Sequence, residues 1–191
     1  KGDKTNLDYY KAQLQLKVVE PMRDRLGIDV SDEAMRKAIE RFNALCRVIT
    51  EIGNYRKLDN PPITGYEFHV IQLVSLVCPK YLILPYLRET AEELKTREPD
   101  ERWPFRCKVV LAGSENDDPD FTKLIESCGA LVVADRYCYG AMESRQPIEI
   151  REGETPLRAI ARHYLLTSQC TRFMEQNEMR RRKQYIADLA R

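Results

Sequence analysis

Between residues 107 and 134 the sequence runs from a short apolar stretch through a capped helix to a second apolar stretch, and few folds accommodate that order. Lys108-Val109-Val110-Leu111-Ala112-Gly113 is too short for a core helix and ends in glycine, as a buried strand does. Asp118 opens a helix with Pro119 at its first position, where the missing N–H costs nothing, and Cys128-Gly129 closes it. Ala130-Leu131-Val132-Val133-Ala134 reads as the second strand. A strand, a helix and a strand of these lengths make a βαβ unit, which calls for a parallel sheet.

Upstream the period is helical. Leu14, Val18, Met22 and Leu26 recur every four positions, predicting a helix over about 7–26, bent at Pro21 and stopped at Gly27. Ser31 caps a second helix that runs to about Lys57 and buries Met35, Ile39, Phe42, Cys46, Ile49 and Ile52, so Cys46 reads as core. Asn60-Pro61-Pro62-Ile63-Thr64-Gly65 holds the chain extended until a helix begins near Thr64 or Tyr66. Helical patterns continue to Val77 and from Pro79 to about Lys95, interrupted by Pro79 and Pro85, and residues 97–106 form a linker. Thr155 caps a helix over Pro156 to about Thr167, and a last helix spans about 174–191. The expected class is α/β: a helical connector over 1–100, then an incomplete flavodoxin- or Rossmann-like parallel-sheet domain over 101–191, the beginning of a doubly wound sheet.

Composition narrows the partners. Lys plus Arg number 31 against 30 Asp plus Glu, so no polycation is present to hold a nucleic-acid backbone. The basic run Arg180-Arg181-Arg182-Lys183 reads as a solvated helix face. No apolar stretch approaches the ~20 residues a membrane helix needs. The first ten residues lack the apolar core of a secretory signal and read as an internal cut, which together with the cysteines points to the cytoplasm. Cys46, Cys78, Cys107, Cys128, Cys138 and Cys170 include no Cys-x-x-Cys pair and are expected as free thiols.

In an open parallel sheet, ligands bind beyond the carboxyl ends of the strands, which directs attention to Ser114-Glu115-Asn116-Asp117 and to Asp135-Arg136-Tyr137-Cys138-Tyr139-Gly140 as neighbouring loops. The helix after the first loop could hold a phosphate or carboxylate at its N-terminus, although Asp117 and Asp118 already offer capping oxygens. Ala112 to Asp117 fits neither the dinucleotide nor the Walker glycine pattern, and Ser114 lacks the glycines of a nucleophile elbow. Cys138, between two tyrosines, is the cysteine best placed to be a ligand or to line a site; it reads more readily as a small buried thiol. His69 and His163 lie in helical patterns with no visible catalytic partner and read as helix-face histidines.

The run KVVLAGSENDDPDFTKLIESCGALVVADRYCYG at 108–140 resembles the 2-hydroxyacyl-CoA dehydratase and benzoyl-CoA reductase family. AIERFNALCR at 38–47, NPPITGYE at 60–67 and RHYLLTSQC at 162–170 follow the family's order, so the resemblance spans nearly the whole chain. It implies the C-terminal half of a cluster-bearing subunit of the 2-hydroxyglutaryl-CoA dehydratase D-component type. Such subunits pair with a homologous second subunit as a heterodimer, receive electrons from an ATP-dependent activator protein, and dehydrate a 2-hydroxyacyl-CoA or reduce an aromatic acyl-CoA. The complete subunit carries a 4Fe-4S cluster; the isolated chain is expected to carry none and to be inactive.

By the same resemblance Ser114, Glu115, Asn116, Asp117, Asp135, Tyr137, Cys138, Tyr139 and Gly140 line the substrate and cluster cleft. Cys138 and Cys170 stand where members often have cysteine and are the two candidate metal ligands, neither assigned by the resemblance alone. Thr167-Ser168-Gln169-Cys170 departs from relatives, which commonly place a proline before that cysteine. The competing readings are a non-catalytic flavodoxin-like binding or electron-handling module and a structural partner subunit.

Overall fold

The computed structural model of the chain describes residues 4–99, 105–113, 115–139, 146–167 and 176–189. Helices α1 (Lys4–Leu14), α2 (Glu20–Leu26), α3 (Asp32–Tyr55), α4 (Gly65–Val77) and α5 (Lys80–Glu93) precede strand β1 (Cys107–Ala112), helix α6 (Pro119–Ser127) and strand β2 (Ala130–Arg136). Helices α7 (Pro156–Thr167) and α8 (Gln176–Leu189) follow. β1 and β2 pair in parallel, so the chain is α/β as expected. Among the described residues no helix is long and apolar enough to cross a membrane. The described residues form two compact units.

The first unit holds α1, α2, the start of α3 as far as Asn43, and the segment from Gln146 through α7. Pro21 acts one turn earlier than the expected bend. Having no N–H for the carbonyl of Lys17, it widens the preceding bonding to a π-helical turn over Gln15–Val19, in which the Glu20 N–H reaches the Gln15 carbonyl. Gly27, at φ 63°, then ends α2. The stripe of Val18, Met22 and Leu26 is exposed in this chain, and of this region only Val19 is buried. Ile39, Ile148 and Ala159 form the core, with Phe42, Ile150 and Ile160 against it. Asn43 fixes the segment before α7 by donating to the Ile148 carbonyl (2.9 Å) and accepting from the Ile148 N–H (2.7 Å). Arg162 grips both carboxylate oxygens of Glu154, and Arg158 pairs with Asp8 to join α7 to α1.

The second unit holds α3 from Ala44 onward, α4, α5, β1, α6, β2 and α8. Its core is Leu45, Ile49, Ile52, Ile63, Phe68, Leu87, Ala91 and Leu94. Cys46 is fully buried in the same helix, and burial pushes its thiol up to about 11. Thr64 caps α4 in a reciprocal capping box with Glu67, as the breaker sequence anticipates. Lys80 closes the other end by donating to the Ser75 carbonyl at 2.6 Å. The expected break at Pro85 does not occur: α5 passes through it, with Pro85 on the solvent-facing side and the residue whose carbonyl it frees, Tyr81, exposed as well.

The segment NPPITGYE has its physical explanation in this unit. A Cβ on Gly65 would lie 2.4 Å from Val132 Cβ and 2.7 Å from the Val132 carbonyl oxygen, so only glycine lets α4 come this close to β2. Glu126 of α6 turns inward and accepts from the N–H groups of Gly65 (2.8 Å), Tyr66 (3.1 Å) and Val132 (3.1 Å). Burial pushes this carboxyl up, while the three donors pull it down. One side chain thereby joins the first turn of α4, α6 and β2.

Candidate functional site

The ladder pairs Leu111 with Asp135 and Ala112 with Arg136, and the Gly113 N–H donates to the Arg136 carbonyl at 3.2 Å. The loops after β1 and β2 therefore leave the sheet side by side at its carboxyl end, as a βαβ unit requires. The register shifts midway along the ladder: Val109 pairs with Val132 and Val110 with Ala134, leaving Val133 as the extra residue of a bulge. Bulges of this kind re-aim the side chains that follow. Beyond it Ala134, Asp135, Arg136 and Tyr137 are all buried.

Asp135 points into the unit and pairs with Arg56, 2.9 Å away, just past the end of α3. The guanidinium lies over the ring of Phe68 at 3.7 Å, which offsets part of its lost hydration. Tyr137 is buried too, and burial raises the pKa of its phenol. Its ring tilts against that of His69, centroids 5.2 Å apart. His69 Nδ1 meets Thr122 Oγ1 at 3.0 Å and Nε2 meets the Asn116 carbonyl at 3.1 Å. Burial holds the imidazole below its usual pKa, against the opposing pull of the Asn116 carbonyl, Asp135 and Asp118.

The remaining residues of the two loops differ in exposure. Glu115 and Asp117 are exposed, Asn116 is half-buried, Cys138 is half-buried and Tyr139 is exposed. Ser114, Gly140 and Cys170 lie outside the described residues. The N-terminus of α6 is occupied by the chain itself: Asp118 accepts from the Asp120 N–H, and Asn116 Oδ1 accepts from the Asp118 N–H. Of the two readings of that helix end, capping is the one the geometry shows.

Sequence reasoning misses the part that three residues play in this region, Arg56, His69 and Thr122. In sequence His69 is a helix-face histidine without a visible partner; its partners come from Asn116 and Thr122, 47 and 53 residues away. The one available signal is a buried-type pattern, His69 beside Phe68 and Val70, that a polar ring can enter only when its nitrogens are satisfied.

The cysteines of the described residues do not fit a 4Fe-4S cluster, which needs several thiolates converging on one point. Cys107 and Cys128 sit at the amino end of the two strands and Cys138 at the carboxyl end, whereas Cys46 is sealed in a helix core. No group of three or more metal-binding side chains is found among the described residues, and none of Cys46, Cys78, Cys107, Cys128 and Cys138 is in a disulfide. A separate cleft of about 1240 Å³ opens at the amino end of the sheet, where Arg97, Arg106, Lys108 and Lys123 alternate with Asp59, Glu67 and Glu98. Its mixed charge favours no one ligand class.

The family model described as 2-hydroxyglutaryl-CoA dehydratase, D-component, matches residues 2–191. No curated protein matches the chain.

Proposed function

Because the chain belongs to the 2-hydroxyglutaryl-CoA dehydratase, D-component family, and so to the subunits of 2-hydroxyacyl-CoA dehydratase-type enzymes, we propose that its two strand-end loops handle the acyl-CoA thioester. The reaction removes the C2 hydroxyl and a C3 hydrogen as water and leaves a C2–C3 double bond, with no net oxidation. That hydrogen is β to the thioester carbonyl and is not acidic, so the chemistry calls for a one-electron route. An ATP-dependent activator protein would supply the electron, and a homologous second subunit would complete the cleft. The 4Fe-4S cluster expected of the complete enzyme is not assigned to the described cysteines of this chain, and the chain by itself would turn over nothing.

The observation that carries this reading is the convergence of the two loops at the carboxyl edge of β1 and β2, over a buried polar interior. Asp135 and Tyr137 would act from within, holding the backbone that presents Cys138 and Tyr139. Glu115, Asp117 and Asp118 would repel the phosphates of coenzyme A, which favours an orientation with the uncharged thioester end nearest the loops.

The test is anaerobic co-expression of the chain's full subunit with its partner, followed by assay with activator, ATP, and separate 2-hydroxyacyl-CoA and aromatic acyl-CoA substrates. Loss of one water from a 2-hydroxyacyl-CoA supports dehydration. Two-electron reduction of the aromatic ester would assign the reductase chemistry instead, and absence of turnover and of thioester binding would reject both.

A further inference from the structure

We infer that His69 is a positioning residue that fixes the spacing of the two strand-end loops, acting on one through its main chain and on the other through a tyrosine ring. The inference rests on the reading of these loops as the acyl-CoA-handling face.

The tautomer follows from the geometry. A carbonyl oxygen can only accept, so His69 Nε2, 3.1 Å from the Asn116 carbonyl, carries the hydrogen. Nδ1 is then a lone pair and accepts from the Thr122 hydroxyl, 3.0 Å away. The ring thus donates to Asn116 and accepts from Thr122, while it lies tilted against the Tyr137 ring, centroids 5.2 Å apart. Its two loop contacts are Tyr137 just past β2 and Asn116 just before α6.

The position of His69 gives it more than a packing role. The described main-chain bonds between the strands end with the Gly113 N–H to Arg136 bond. Beyond that point His69, 1% exposed, touches both loops from α4. Around the ring stand Asp118 at the start of α6, Asp135 at the end of β2 and Arg56 after α3, with Thr122 and Tyr137 as neutral neighbours. A second N–H, on Nδ1, would meet the Thr122 hydroxyl hydrogen and force that hydroxyl to turn away. The tether is therefore intact with a neutral ring and altered with an imidazolium.

Two variants in the assembled enzyme test this. His69→Leu keeps an apolar body but offers neither hydrogen bond, whereas His69→Gln supplies an amide N–H toward Asn116 and an oxygen toward Thr122. In His69→Leu, amide hydrogen exchange should rise by about tenfold or more at both 115–117 and 137–139, with β1 and β2 unchanged, and kcat/KM should fall by about tenfold or more. In His69→Gln both should return to within about threefold of wild type. The wild-type loops should also exchange faster below the pH at which the ring takes a proton, and those of His69→Gln should not.

Unchanged exchange at either loop in His69→Leu overturns the tether. So does a His69→Gln variant as perturbed at the loops as His69→Leu. If His69→Leu does not fold, the pH dependence of loop exchange in wild type and His69→Gln decides, and identical profiles overturn the inference. Faster exchange at both loops with unaltered turnover would instead remove these loops from the acyl-CoA site, rejecting that reading and His69's part in it while leaving the tether in place.

Discussion

Arg56 Nη2 and Asp135 Oδ2 lie 2.9 Å apart with side chains 2% and 1% exposed, so the end of β2 is held to the helical layer by an ion pair removed from water. Two desolvated charges are costly, and their mutual attraction and further partners must repay that cost. The asymmetry between losing one and losing both is what makes the pair testable.

Replacing Arg56 with Met should destabilise the folded chain by about 3–5 kcal/mol, because Asp135 is left buried beside an apolar side chain. Arg56→Met combined with Asp135→Leu should cost far less than the two single changes added together. Urea unfolding of the four proteins in the cycle measures the coupling; strict additivity would show that the pair does not interact in solution.

At the join of α4, α6 and β2, Gly65→Ala should cost about 1–3 kcal/mol, since the new methyl must displace Val132 and its carbonyl. Glu126→Ala orphans the N–H groups of Gly65, Tyr66 and Val132, at about 1–3 kcal/mol for an unsatisfied buried donor. Glu126→Gln should be milder, because Gly65 and Val132 both bond one oxygen, Oε1, which an amide keeps. Thermal unfolding should rank the variants wild type, Glu126→Gln, Glu126→Ala; the opposite order of the last two would contradict the assignment.

Acid should weaken the fold before the carboxylates titrate. Burial is the main cause that lowers the folded pKa of both His69 and His163 below the ordinary value of about 6.5, and Arg162 adds to the effect at His163. An unfolded chain then binds protons that the folded chain refuses. Stability is therefore fully present above about pH 6.5 and falls as pH drops from there toward the folded pKa values, levelling off below them. Melting temperatures recorded from pH 8 to pH 5 should show this decline, and His69→Gln and His163→Gln should each flatten part of it.

The local architecture is legible in the sequence because its determinants act within a few residues. Ser31, Thr64, Asp118 and Thr155 stand at the helix starts that their side chains predict, Gly27 and Gly129 take the positive φ that ends a helix, and the two apolar runs pair in parallel. The exceptions have local physical causes as well. Pro21 is absorbed by a π-helical turn, and Pro85 is tolerated on a solvent-facing side.

The candidate site is legible only in part. Parallel pairing alone requires the loops after β1 and β2 to be neighbours, so their placement follows from sequence. Which side chains turn inward does not. Asp135 and Tyr137, expected to line a cleft, are buried because β2 is covered on both faces here, Asp135 by Arg56 and Tyr137 by His69, partners that lie far away in sequence.

What the sequence determined by itself was therefore the series of helices and strands, the parallel sense of the sheet and the end of it where the two loops emerge. The tertiary structure decided which polar groups satisfy one another: His69 with Asn116 and Thr122, and Glu126 with Gly65 and Tyr66, are separated by 47 to 61 residues. A cap is chosen by its neighbours in the chain, whereas a buried imidazole or carboxylate must be satisfied by whatever the fold brings to it. That condition is met or failed only once the helices and the sheet have packed.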